Sequence, residues 1–119
     1  MNHPHQNLLT PIEVRPLGSA VREATTAALV KADGLDVIRL IVPAGKSIPT
    51  HRAKGTMTLL CIEGRISFEA CGRTMELAAG QMLWLPAEEP HSVLGLEDAS
   101  LLLTIWKTPA PSESRKDIS

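Results

Sequence analysis

Turn residues cut this chain too often for it to be helical. From Gly34 onward, Pro43, Gly45, Pro49, Gly55, Gly64, Gly72, Gly80, Pro86, Gly95 and the acidic pair Glu97-Asp98 leave no segment longer than eight residues up to Trp106. A helix needs about 10 to 12 residues to establish its period, whereas a strand needs only about 4 to 8. The intervening segments are rich in Val, Ile, Leu and Thr, so they read as strands. Nine are expected: Ile12–Leu17, Ala24–Val30, Leu35–Val42, Thr56–Ile62, Arg65–Ala70, Thr74–Leu77, Met82–Leu85, His91–Leu96 and Ala99–Trp106. Ser19 could instead cap a helical turn ahead of the second strand. Asp33-Gly34, which tolerates positive φ, predicts a hairpin between the second and third strands. Glu63-Gly64 and Glu97-Asp98 are expected as turns between separate strands, with Gly45 and Gly64 in the left-handed conformation that alanine resists. Many short strands in series imply an all-β sandwich or barrel.

Two stretches answer each other within this pattern. GKSIPTHRAKGTMTLLCIEG, residues 45–64, runs from glycine through a histidine, His51, and an apolar strand to a second glycine. GQMLWLPAEEPHS, residues 80–92, again runs glycine, apolar strand, proline turn and one histidine, His91. If both imidazoles face one cavity, that cavity is the functional site.

Leu59-Leu60-Cys61-Ile62 and Leu101-Leu102-Leu103 are apolar at both parities, so those strands need cover on both faces. One face can line the interior. The other can meet a second copy of the chain, giving a homodimer, or lie beneath a loop of the same chain.

Composition closes off other classes. At 119 residues the chain makes one domain with a core of useful size. Twelve basic and thirteen acidic residues leave a net charge of −1 without a basic cluster, and with no Tyr and one Phe there is little for bases to stack on. Nucleic acid is therefore not an expected partner. The apolar runs are far short of the roughly 18 to 20 residues of a membrane helix. Cys61 and Cys71 form neither a disulfide framework nor a paired zinc motif, and the start MNHPHQNLLTP lacks a secretory signal, so a cytoplasmic location is expected. The polar, proline-bearing ends give domain boundaries: a flexible arm at 1–11, the folded domain at 12–106 and a flexible tail at 107–119. His3-Pro4-His5 is read as solvated, without function.

The two stretches carry a family resemblance. Gly45, five residues, His51-Arg52-Ala53, Lys54-Gly55-Thr56-Met57, six residues and Gly64 resemble the first cupin motif. Gly80, five residues, Pro86, Ala87-Glu88, two residues, His91, three residues and Gly95 resemble the second, fifteen residues further on. The resemblance implies a double-stranded β-helix, the cupin jelly-roll barrel of RmlC-like proteins, with its site inside.

Many cupins hold one divalent metal (Zn, Mn, Fe or Ni, or copper) on three histidines and a glutamate. The first histidine matches His51 and the last matches His91, but Ala53 stands at the second histidine position and Met57 at the glutamate position. Two imidazoles fall short of the four to six donors such an ion takes, so no cofactor is expected. The Met57 thioether would suit only Cu(I). Glu88 occupies a position that is glycine in the motif, which puts the turn ahead of His91 in question.

Two functions follow. One is a binding module or sensor that holds a small molecule on His51, Ala53, Met57 and His91 without a complete metal site. The other is an enzyme, of isomerase, lyase or dioxygenase type, that uses His51 and His91 with or without a metal.

Overall fold

The computed structural model describes residues 8–107, and seven strands carry nearly all of its regular structure. They are β1 Ala27–Ala32, β2 Leu35–Val42, β3 Ser47–His51, β4 Thr56–Ala70, β5 Arg73–Ala78, β6 Met82–Leu85 and β7 His91–Trp106. The Asp33-Gly34 hairpin joins β1 to β2 as expected, with Gly34 at φ 79°. The expected histidine pair at residues 3 and 5 lies outside the described residues, as does most of the expected arm and tail.

All pairings are antiparallel, and they divide into two layers that share two long strands. The amino-terminal half of β4 pairs β6 on one side and the carboxy-terminal half of β7 on the other, and β7 continues through β2 to β1. The other halves of β4 and β7 pair each other again, flanked by β5 and β3. Two sheets joined by strands that pass through both form the jelly-roll barrel.

Four expectations need correction. Glu63-Gly64 and Glu97-Asp98 do not separate strands: β4 and β7 run unbroken through both positions. Their register shifts between Cys61 and Ile66, so each strand bends at a bulge where it crosses from one layer to the other. The bulge supplies the positive φ of Gly64, 80°, which a turn would also have supplied. Residues 12–17 form no strand; the Leu17 N–H at their end is taken by the Glu63 carboxylate and not by a sheet partner. Residues 18–23 form a short 3-10 helix, the helical alternative raised by Ser19, and β1 starts later than expected, at Ala27. β3, which was not expected, carries Pro49 and pairs only β7, as an edge strand can.

The bulge also resets which residues face inward. Met57, Leu59 and Cys61 are buried before it, and Ile66, Phe68 and Ala70 after it, so one extra residue in β4 switches the inward set from odd to even numbers. These six form one core with Leu77, Leu85, Val93 and Leu101.

Outer cover is divided. Over Arg39, Glu63 and Ser100 it comes from the chain itself: Val21 is buried there, and the Leu17 and Gly18 N–H groups donate to the Glu63 carboxylate at 2.8 and 3.0 Å. Arg22 pairs Asp98 at 2.8 Å beside it. Farther along the same layer Met82, Trp84 and Trp106 remain exposed.

Candidate functional site

His51 ends β3 and His91 begins β7, and the two are direct register partners. Their ring centroids are 4.4 Å apart in a T-shaped arrangement. The His91 ring also lies flat against Phe68, with centroids 5.5 Å apart and planes 11° off parallel. The reason is local: β7 pairs β4 with Ala70 opposite His91, so His91 shares the inward face with Phe68 and Val93. His91 is buried while His51 is exposed at the rim.

Each imidazole is oriented by a backbone carbonyl two residues earlier. His51 Nδ1 lies 2.9 Å from the Pro49 oxygen and His91 Nδ1 3.0 Å from the Glu89 oxygen. A carbonyl only accepts, so both Nδ1 atoms carry hydrogen, and in the neutral rings Nε2 holds the free lone pair. Two Nε2 acceptors therefore stand side by side at the barrel rim.

Burial holds His91 below the ordinary imidazole value of 6.5; the nearby His51 pushes in the same direction, and the Glu89 carbonyl only partly offsets them. At neutral pH His91 is therefore uncharged. The unfolded chain takes up this proton more readily, so stability should decline as pH falls from about 6.5 toward the lower folded value. Denaturant melts across pH 7.5 to 5.5 should show that decline in the parent and a flatter profile in His91→Asn. Equal slopes would mean His91 titrates as in the unfolded chain.

Glu88 adopts φ 69°, so the turn keeps the left-handed conformation of the glycine it replaces. Its N–H donates to the Ala53 carbonyl at 2.8 Å, tying the loop before β7 to the loop after β3. That bond keeps His91 in place despite the substitution.

Of the four expected binding residues, the fold brings His51 and His91 together. Ala53 is half-buried against the core in the loop between β3 and β4, and Met57 is buried within the core, opposite Leu85 and Ile105. Among the described residues no group of three or more His, Cys, Asp or Glu side chains could hold a metal ion. The donor set therefore does not fit the three-histidine, one-glutamate ion of the motif.

Three hollows surround this region. A shallow one of about 420 Å³ lies over the outer face of the layer formed by β3 and β5 with their β7 and β4 neighbours, lined by polar Ser47, Ser67, Glu69, Thr74 and Ser92. A second, about 290 Å³, adjoins His91 and is lined by Thr50, Cys71, Glu89 and Pro90. The third, about 160 Å³, opens between β5 and β6 and reaches Phe68. His51, Ala53 and Met57 line none of the three. Arg73, which lines the third, is marked in the sequence only by sharing parity with the inward residues Met75 and Leu77.

The family model for the cupin domain, Cupin_2, matches residues 38–106. This chain belongs to the cupin domain family. The match spans β2 to β7 and so contains both histidines. The cupin barrel is similar to a conserved protein of unknown function from Streptococcus pyogenes, with 23% identity, 83% of this chain and 93% of that one covered, and a TM-score of 0.68. It is similar also to a cupin superfamily protein from Desulfitobacterium hafniense DCB-2, with 18% identity, 82% and 94% covered, and a TM-score of 0.69. An RmlC-like cupin protein from Desulfovibrio desulfuricans aligns at 22% identity, covering 82% and 98%, with a TM-score of 0.67. At such identities the likeness establishes the fold. No curated protein matches the sequence.

Proposed function

We propose that this cupin is a small-molecule-binding module or sensor that holds its ligand at the barrel rim without a complete metal site. The observation that carries this reading is the histidine pair: two oriented Nε2 acceptors side by side, with Ala53 and Met57 standing where a metal would need further donors. Such a pair accepts hydrogen bonds from a ligand's N–H or O–H groups. A second reading, a metal-free enzyme, draws on the neutral state of buried His91, which suits a general base.

Restoring the missing donors tests the first reading. The Ala53→His, Met57→Glu double variant should take up Zn(II), Mn(II) or Fe(II) stoichiometrically and melt higher when metal is added, since a ligand bound only by the folded state stabilises it. The parent, purified without a histidine tag, should show little of either effect. Stoichiometric metal in the parent would overturn the reading of an incomplete metal site.

The module acts as a homodimer in this reading, through the outer face of the layer containing β6. Met82 and Trp84 are exposed there beside Thr58 and Leu60 of β4, with Trp106 at the end of β7. These positions carry no charge, and a two-fold axis would set identical apolar patches against each other. Light scattering should report a dimer at micromolar concentration and a monomer for Trp84→Glu; a monomeric parent would remove this part of the reading. A cytoplasmic setting fits the two free cysteines, Cys61 and Cys71. Among the described residues no helix is long and apolar enough to cross a membrane.

A further inference from the structure

The third hollow has a chemistry of its own. It lies between the edge strands β5 and β6, where the two layers are not hydrogen-bonded to each other, and leads inward to the Phe68 ring. Its walls are Phe68, Met75, Leu83 and Leu85 from the inward faces, with Trp84 at the outer edge. Its volume is about 160 Å³. An apolar cavity of about 150 Å³ lined by aliphatic and aromatic side chains takes up a benzene ring. The space is therefore sized for one six-membered ring or an equivalent branched chain.

One charged side chain shares this lining. Arg73 opens β5 opposite Ala70, on the strand face that also bears Met75 and Leu77. Arg65, the other arginine of this layer, is engaged by Glu76 and Glu97. The Arg73 guanidinium forms no hydrogen bond or ion pair among the described residues. Glu89 is the nearby anion, and the Cys71 thiol beside Arg73 donates a hydrogen bond to its carboxylate. A guanidinium with free N–H groups beside an apolar slot is matched by a planar carboxylate with an apolar body, held by two parallel N–H···O bonds.

We infer that the slot between β5 and β6 binds a small apolar monocarboxylate, its ring or branched chain against Phe68, Met75, Leu83 and Leu85 and its carboxylate on Arg73. The inference goes beyond the histidine pair: it concerns a second position in the same barrel, tested independently of the first. It differs in placing the ligand in a hollow that Phe68 lines and neither histidine does, although His91 stacks on that same ring.

Benzoate is the probe, and its neutral counterpart benzamide the control. In a ¹H–¹⁵N shift titration of the full chain, benzoate should move the β5 and β6 amides, including those of Met75 and Leu83, saturably. Arg73→Gln should weaken benzoate by about tenfold or more and leave benzamide unchanged, because it removes only the charge-assisted bonds. Leu83→Trp, which fills the slot, should abolish binding of both. Arg73 is exposed, so its replacement should leave the melting temperature unchanged, and His91→Asn should leave benzoate binding intact. Shifts that gather around His51 and His91, lost in His91→Asn and kept in Arg73→Gln, would overturn the slot while supporting the histidine pair as the ligand position. No saturable shift up to the solubility of benzoate would overturn it as well.

Discussion

Gly64→Ala should lower the unfolding free energy by about 2 to 5 kcal/mol, the sum of a left-handed backbone penalty of roughly 1 to 2 and an overpacking cost of roughly 1 to 3. The residue sits at φ 80° where β4 bends from one layer into the other. A Cβ there would run into the Asp98 carbonyl oxygen and lie 2.7 Å from the Ala99 Cα, both backbone atoms of the adjoining corner of β7. Neither can yield without moving a strand that pairs along both layers. Gly45→Ala is the matched control: it has φ 85°, but a Cβ would meet nothing within 4 Å. It should cost only the conformational part, about 1 to 2 kcal/mol. Urea melts of the two variants measure the difference. If Gly64→Ala loses no more than Gly45→Ala, the two corners are not packed as described.

Glu63→Ala is expected to be as damaging, by about 3 to 5 kcal/mol, because it strands a buried guanidinium. Arg39 and Glu63 are both nearly enclosed, with side chains 8% and 15% exposed and 3.4 Å between them. Ser100 donates to the same carboxylate at 2.5 Å, and the Arg39 guanidinium also donates to Ser100 at 3.0 Å and to the Arg15 carbonyl at 2.6 Å. Arg39 Nε is already buried without a partner, so removing the carboxylate leaves little to compensate the charge. The same substitution releases the Leu17 and Gly18 N–H groups, so residues 12–23 should become sensitive to protease before the barrel unfolds. Arg39→Met, Glu63→Leu should recover much of the loss, since an apolar pair of similar size replaces the ion pair without a buried charge. A single Glu63→Ala change that costs less than 1 kcal/mol would show that solvent reaches Arg39.

Acid should loosen this cluster too. Burial alone would raise the Glu63 carboxyl, but the hydrogen bonds from Leu17, Ser100 and Gly18 and the Arg39 charge outweigh it and hold it below its ordinary 4.5. The unfolded chain therefore binds the proton first. The stability contributed is present above about 4.5 and is lost as pH falls from there through the folded value, below the window in which His91 acts.

Local chemistry wrote part of this protein legibly. Turn residues follow from φ alone, so Asp33-Gly34 and the left-handed Gly45 and Gly64 can be read without a fold. Strands β2 and β6 have the limits the sequence predicts because Gly34, Pro43, Gly80 and Pro86 bound them. The spacing of the two motifs likewise selected His51 and His91 out of four histidines, and the barrel sets them opposite each other.

What remained hidden depends on partners distant in the chain. A glycine with positive φ looks the same in a hairpin as in a bulge, so only the pairing of β4 with β7 could show that Glu63-Gly64 and Glu97-Asp98 are adjoining corners of unbroken strands. Whether residues 12–17 become a strand depends on what their backbone meets in the fold, and the Glu63 carboxylate, 46 residues from Leu17, takes the Leu17 N–H. Arg73 carries no motif. Its place beside an apolar slot exists only because β5 and β6, paired to opposite halves of β4, leave a gap between the layers, and no pattern within either strand encodes a gap between them.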